Sequence, residues 1–336
     1  TISSAASDVY KRQTLPHAEQ AEKEAIQQVV KDEGKVIVPC AQVRNSEGPI
    51  LERWKLAAEN ELSNNFLAMH AMHESTKEEI AQHGRPLPML CVWSSAEAND
   101  YYKCRACVCG NFAAVDPTQQ SWTAQAEPSS LFASLKLGRV NRWAISKHDV
   151  KGAFLNASIP DGRIVIVKPP EQWVRWGLVK EDVLWTLDKA VYGLRESPAL
   201  WSAERDKQLL KLEWCVGKKT YYLRRCASDS QVWIISEKGT TKLLGTMIVY
   251  VDDFLLQTEL GPIRDAFLGA IGKVWTLDKE KILELECSIT FLGIEIYMRK
   301  NGDIKLHQSQ FIQSLLTKYG MSVSYTHLTL PTRSYV

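Results

Sequence analysis

Met247-Ile-Val-Tyr250-Val-Asp-Asp253-Phe-Leu-Leu256 places two adjacent carboxylates between two apolar runs. Such a pattern reads as a buried β-hairpin with its charges at the tip. Neighbouring carboxylates repel and resist ionising unless a positive charge stands between them. Hard divalent cations take carboxylate oxygens, so a cation fits. Taken alone, the tip is either a polar turn or half of a metal site. A second segment, Trp143-Ala-Ile-Ser-Lys-His-Asp149-Val-Lys-Gly-Ala-Phe154-Leu-Asn156, bears on the choice. Asp149 follows a short strand-like run and precedes a turn of small residues. If that strand lies beside the hairpin, Asp149 joins Asp252 and Asp253. Three acids from two segments can hold two metal ions roughly 3.5–4 Å apart, which clamp both oxygens of an in-line phosphoryl displacement.

Composition restricts the reading less. The 336 residues suffice for one large or two ordinary domains, and 45% hydrophobic content is normal for a chain with a real core. No apolar run reaches the ~18 residues of a membrane span, and no secretory signal is visible at the start. The net charge of +2 gives no global footprint for nucleic acid. A binding groove is therefore local, with Arg195, Lys207, Lys211, Lys218, Lys219, Arg224 and Arg225 as contributors or, equally, as a solvated helix face. Cys104-Arg-Ala-Cys107 has C-x-x-C spacing, but no second pair follows at zinc-finger distance. In a strand, residues three apart point to opposite faces. Free thiols in a reducing compartment are expected.

Four motifs stand in order: Asp149-Val-Lys-Gly-Ala-Phe-Leu-Asn156, Lys189-Ala-Val-Tyr-Gly-Leu-Arg195, Tyr250-Val-Asp-Asp253 and Phe291-Leu-Gly-Ile-Glu-Ile296. In order and spacing they resemble the reverse transcriptase of copia-type LTR retrotransposons, from about Leu51 to about Met321. The resemblance implies an α+β right-hand polymerase fold of fingers, palm and partial thumb, with an antiparallel palm sheet packed on helices. It implies RNA-directed DNA polymerase activity with magnesium or manganese, two ions, acting on an RNA or DNA template-primer with deoxynucleoside triphosphates. It also implies RNase H and integrase modules in the same polyprotein, which this sequence lacks. The implied setting is cytoplasmic, in a virus-like particle with access to the nucleus, and away from membranes. The alternatives are a non-catalytic remnant, a nucleic-acid-binding polyprotein fragment, or another palm-type polymerase.

Residue roles follow from the same resemblance. Asp149, Asp252 and Asp253 are the catalytic metal ligands, joined by the Val150 carbonyl. Lys103 and Arg105 match basic residues that contact the triphosphate, and strand alternation puts both on one face. A solvent-facing edge strand is the other reading of that pair. Phe154 matches the aromatic that lies under the sugar and excludes a 2′-hydroxyl. Tyr192 and Gly193 match the nucleotide and template lining. Tyr250 and Val251 flank the primer end, and Phe291, Leu292 and Gly293 match the primer grip. Glu196-Ser197-Pro198 departs from the family's usual Gln-Ala-Pro run and puts an acid beside the expected groove.

The expected organisation is a polyprotein linker at 14–50, fingers and palm at 51–296, and the start of a thumb at 297–321. Residues 1–13 and 322–336 fit no periodicity and resemble translated adaptor sequence, with terminal tails as the alternative. Asp8, Lys11, Arg12 and Arg333 all lie in those ends, so setting them aside brings the net charge to zero. Helices are expected over 17–32, 51–66, 129–143, 197–214 and 309–319. Strands are expected over 101–112, 232–236 and 246–257, with a hairpin of 291–298 and 304–306 over Asn301-Gly302.

Overall fold

The computed structural model describes residues 36–83, 85–96, 101–114 and 122–319. The expected helix over 17–32 and both foreign-looking ends lie outside them. The chain divides into two compact units, Thr1–Ala124 with Lys151–Lys211, and Gln125–Val150 with Leu212–Val336.

The second unit is built on a seven-stranded antiparallel sheet. Its spatial order is Lys281–Ile282, Ala144–Asp149, Asp253–Thr258, Leu243–Tyr250, Val232–Glu237, Lys219–Arg225 and Glu213–Val216. The period-two alternation of these strands gives the sheet two buried faces. On one, Leu131 and Leu135 of the helix Pro128–Val140 meet Ile145, Ile248 and Leu255. Burying each such side chain stabilises by ~1.5–3 kcal/mol. Gly138 makes that approach possible, since a Cβ there would stand 2.3 Å from Gln257 Oε1. Ser134 ties the same face, 2.8 Å from Thr246 Oγ1 and accepting from Gln257 Nε2 at 2.6 Å. On the other face, Phe267 of the helix Pro262–Ile271 packs 5.0 Å from Trp214, and Trp275 packs 6.1 Å from Phe254. A three-stranded sheet, Ser288–Phe291, Ile294–Met298 and Ile304–His307, adds Ile289, Phe291 and Ile296 to the first core. The expected 296/297 boundary falls inside one of its strands.

The first unit holds a six-stranded sheet. Its path is Val36–Val38, Leu87–Ala96, Ile166–Lys168, Trp185–Leu187 and Met72–Glu74, with Tyr101–Val108 paired to Leu87–Ala96. Its core is aromatic. Trp54 meets Trp93 edge-on at 5.6 Å, and Phe66 meets Trp173 at 5.9 Å. Residues 36–50, part of the expected linker, are folded here. Val36–Val38 pairs with Trp93–Ser95, and Val43 of the helix Cys40–Arg44 is fully buried.

Three local expectations need correction. The helix expected from Leu51 begins at Gly48, with Pro49 in its first turn, and passes at Glu61 into a π-helical segment, Glu61–Leu67. The helix expected to reach Trp214 ends at Lys211, and Trp214 lies in a strand. Gly217, at φ +59°, and Lys218 form a two-residue turn that pairs Val216 with Lys219 and folds the segment back as a hairpin. Ser197-Pro198 reads from the sequence as an N-cap followed by a first-turn proline, whereas Ser197 is itself the first helical residue. It lies within the helix Ser197–Lys211, and its hydroxyl donates to the Val191 carbonyl at 2.6 Å.

Candidate functional site

The hairpin is present as read, Leu243–Tyr250 joined to Asp253–Thr258 through Val251 and Asp252. Val251 sits at φ +55°, a conformation that costs a β-branched residue ~1–3 kcal/mol and is met chiefly where function over-determines the backbone. The strand Ala144–Asp149 lies beside it, with Asp149 directly opposite Asp253. The Val150 N–H donates to the Asp252 carbonyl at 3.0 Å, locking the two segments end to end. Asp149, Asp252 and Asp253 each offer a carboxylate oxygen, and the three lie within 4.8 Å of one another.

The electrostatics fit a cation. Burial, then the charges of Asp252, Asp253 and Asp278, push the Asp149 carboxyl up to about 8. A hard-oxygen donor set that resists its own ionisation is what a divalent ion would relieve. Two further residues sit at this centre that sequence reasoning missed. Lys147 Nζ lies 3.1 Å from Asp253 Oδ1 in a largely buried ion pair. It is two residues before Asp149, on the same strand face, so alternation from Asp149 was the available signal. Asp278 donates its N–H to the Asp149 carbonyl at 2.9 Å and adds its charge to the cluster. It is far along the chain, and no local pattern marks it.

Behind the acids, on the opposite strand face, lies a polar network. Arg264 Nη2 donates to Glu280 and, at 3.0 Å, to Ser146 Oγ. His148 Nε2 lies 3.0 Å from Ser146 Oγ and 3.2 Å from Glu280 Oε1. Burial holds His148 below its ordinary range, with Glu280 opposing and Arg264 adding. The network ties the Asp149 strand to the helix Pro262–Ile271.

In the first unit, another cluster collects four of the five residues expected at the nucleotide. The Arg105 guanidinium lies 4.3 Å from the centre of the Tyr192 ring, and Phe154 meets that ring edge-on at 4.7 Å. Gly193, at φ +91°, approaches the strand Tyr101–Val108 so closely that a Cβ would stand 1.9 Å from the Val108 carbonyl oxygen. Lys103 lies on the same strand as Arg105, at alternate spacing. Phe154 is only 6% exposed. Cys104 and Cys107 are buried on this strand, and desolvation lifts both thiols above their ordinary range.

Other expectations change. Phe291 is 1% exposed and belongs to the core, so its ring is not a contact surface. Leu292 and Gly293, both at positive φ, form the turn after it, and the strand expected from Phe291 starts at Ile294. Tyr250 is partly buried against the same core. Glu196 does not face a groove as a bare acid. It is buried and paired with Arg163. The seven basic residues considered for a groove are divided between the two units. Lys207 pairs with Glu204 at 3.2 Å, Lys219 pairs with Glu237 at 3.0 Å, and Arg225 stacks 5.0 Å over Trp233. Lys219, Arg224 and Arg225 lie on a strand rather than a helix face. Among the described residues no helix is long and apolar enough to cross a membrane.

Residues 81–333 match the family described as reverse transcriptase (RNA-dependent DNA polymerase). The match extends into the terminal stretch that resembled adaptor sequence. The chain is 31% identical over 170 residues to the putative transposon Ty5-1 protein of Saccharomyces cerevisiae, covering 49% of this chain and 46% of that protein. It is 26% identical over 182 residues to the retrovirus-related Pol polyprotein from transposon RE2 of Arabidopsis thaliana, covering 53% of this chain and 11% of the polyprotein. Among solved structures, a foamy viral protease-reverse transcriptase in complex with double-stranded DNA matches 78% of this chain and 36% of its own, at 14% identity and a TM-score of 0.39.

Proposed function

The chain belongs to the reverse transcriptase (RNA-dependent DNA polymerase) family, and from that premise we propose that it extends a primer on an RNA or DNA template by metal-dependent nucleotidyl transfer. The observation that carries this reading is the convergence of Asp149, Asp252 and Asp253 within 4.8 Å. The Asp149 and Asp252 carboxylates are the direct ligands, and Asp253 is placed beside them by Lys147. Two magnesium or manganese ions, when bound, would supply the charge that activates the primer 3′-hydroxyl and neutralises the leaving pyrophosphate. The displacement is in line, so no covalent enzyme intermediate is needed. The task of the acids is to hold fixed negative charge at a rigid strand end. The Val150 carbonyl is a further ligand in this reading.

Lys103 and Arg105 bind the triphosphate, with Arg105 oriented by the Tyr192 ring. Phe154, backed by Tyr192, is the sugar gate. Val251 and the Leu292-Gly293 turn contact the primer. RNase H and integrase modules act with this one in the parent polyprotein.

The test is primer extension by the full chain on poly(rA)/oligo(dT) with deoxythymidine triphosphate. Extension that requires magnesium or manganese and stops in chelator is expected. A chain that binds template-primer but never extends it, with any divalent metal, would leave the remnant reading in its place. A matched DNA template separates a reverse transcriptase from a polymerase confined to DNA.

A further inference from the structure

The strand Tyr101–Val108 is an edge of the first unit's sheet, paired among the described strands with Leu87–Ala96. Every second N–H of such a strand points away from the sheet. Two consecutive outward groups here find partners from other elements. The Ala106 N–H donates to Glu61 Oε1 at 3.0 Å, and the Val108 N–H donates to the Tyr192 carbonyl at 2.8 Å. The strand carrying Arg105 is thus pinned twice. One pin is a carboxylate, and the other is the backbone of the residue whose ring receives the Arg105 guanidinium.

Glu61 is an unusual residue to find there. It is 6% exposed and opens the π-helical segment Glu61–Leu67. Such segments are rare interruptions of α-helices and are frequent at functional sites. Burying a carboxylate is costly, and an apolar side chain would fill the space without that cost. Both oxygens are nevertheless used. Asn65, one turn on, donates its amide to Oε2, while Oε1 takes the strand N–H. The positive charges of Arg105 and Lys103 act on the carboxylate, opposing the effect of its burial.

We propose that Glu61 is a positioning residue for polyphosphate recognition, holding the Ala106 N–H so that the edge strand presents Arg105 in one fixed register. The proposal rests on the reading of Lys103 and Arg105 as triphosphate contacts. An unpinned edge strand can slide or fray, and the Arg105 stack on Tyr192 would loosen with it.

Two substitutions in the full chain separate hydrogen bond from charge. Glu61→Asp keeps the charge and shortens the reach by one methylene. Glu61→Gln keeps the reach and an acceptor oxygen but loses the charge. The readouts are the dissociation constant of deoxythymidine triphosphate on poly(rA) with a dideoxy-terminated oligo(dT), and KM and kcat on the extendable primer. Losing a hydrogen bond to a charged group corresponds to about tenfold. Glu61→Asp is expected to weaken binding and raise KM by about that factor with kcat within about twofold, and Glu61→Gln to remain within about threefold of wild type. Equal effects in both variants, no effect in Glu61→Asp, or a kcat loss as large as the KM rise would overturn the proposal. Should Glu61→Asp fail to fold, amide exchange in the wild type decides. Ala106 is expected to exchange slowly, and exchange at the rate of an unstructured peptide would overturn the pinning. Intact triphosphate binding without any extension would sink the polymerase reading alone. Binding indifferent to Glu61→Asp would sink this proposal alone, and no binding by the wild type would sink both.

Discussion

Replacing Asp149 by Asn should stabilise the metal-free protein, and more so as the pH rises. The reason is the raised carboxyl, about 8 in the fold against an ordinary value of 3.8. A group whose folded pKa is raised contributes stability below its unfolded value and loses it as pH climbs through the folded value. The window is therefore pH 4 to 8. At ~1.4 kcal/mol per tenfold, the full displacement would cost the ionised wild type ~6 kcal/mol at pH 8.5. Asp149 is only partly buried, and solvent screens its neighbours, so about half, ~2–3 kcal/mol, is the expected difference. In a unit of this size that corresponds to roughly 4–10 °C in Tm. The assay is thermal melting of wild type and Asp149→Asn in EDTA at pH 5 and pH 8.5. Asn should melt higher at pH 8.5, with most of the advantage gone at pH 5. Adding magnesium at pH 8.5 should raise the wild type and leave the variant nearly unmoved, while primer extension by the variant falls at least about a thousandfold, ~4 kcal/mol. A variant that melts lower than wild type at pH 8.5, or a gap independent of pH, would refute the account of Asp149 as a member of a repelling cluster.

Three other outcomes follow from the same geometry. Asp252→Asn should also reduce extension at least about a thousandfold while its metal-free melt stays at or above wild type, as read by primer extension and calorimetry. Lys147→Met removes the cation from Asp253 and should cost ~1–3 kcal/mol in EDTA at pH 8.5, with magnesium restoring more of the loss than it adds to wild type. Magnesium-independent destabilisation would mean that the ion pair is unrelated to the metal centre. Phe154→Val should shift incorporation from dGTP towards rGTP and also lower stability by ~1–3 kcal/mol, because the ring is both buried and in contact with Tyr192. An unchanged rGTP to dGTP ratio with the same stability loss would assign Phe154 to the core alone.

The acidic centre was legible because its signal is local. Two charges amid Met247-Ile-Val and Phe-Leu-Leu256 read as a polar turn or as part of a metal site, and Asp149 ends a strand that pairs with that hairpin. The elements misread are those where two periodicities compete. Trp201, Leu209 and Leu212 keep helical spacing towards Trp214, yet Gly217-Lys218 closes a hairpin whose strands bury Trp214 and Tyr221. The Phe291-Leu-Gly293 run reads as the start of one strand by hydrophobicity, yet positive φ values at Leu292 and Gly293 turn the chain between the strands Ser288–Phe291 and Ile294–Met298. Glu61 and Asp278 were invisible for another reason. Each acts on a backbone group 45 or 129 residues away, and a buried or loop acid carries no pattern that names its partner.

The partner that was missed also sorts the three acids by role. Four carboxylates gather at the strand end, counting Asp278, and Lys147 sits among them on Asp253. The ion pair holds one oxygen of Asp253, which is the most deeply buried of the three ligand candidates. The raised carboxyl belongs to Asp149, where repulsion and burial are left for a cation to offset. Charge therefore separates a pre-neutralised acid from one that awaits its counter-ion. This asymmetry arises from strand alternation alone. Lys147 and Asp149 share a face, and Asp253 lies opposite Asp149, so a lysine two residues before the first acid reaches the third diagonally. The same lysine on the neighbouring position would point into the Arg264 and Glu280 network behind the sheet and leave Asp253 to the metal. The register of two strands thus sets Asp253 apart from Asp149 by its lysine partner, which is the difference that the proposed ligand roles rest on.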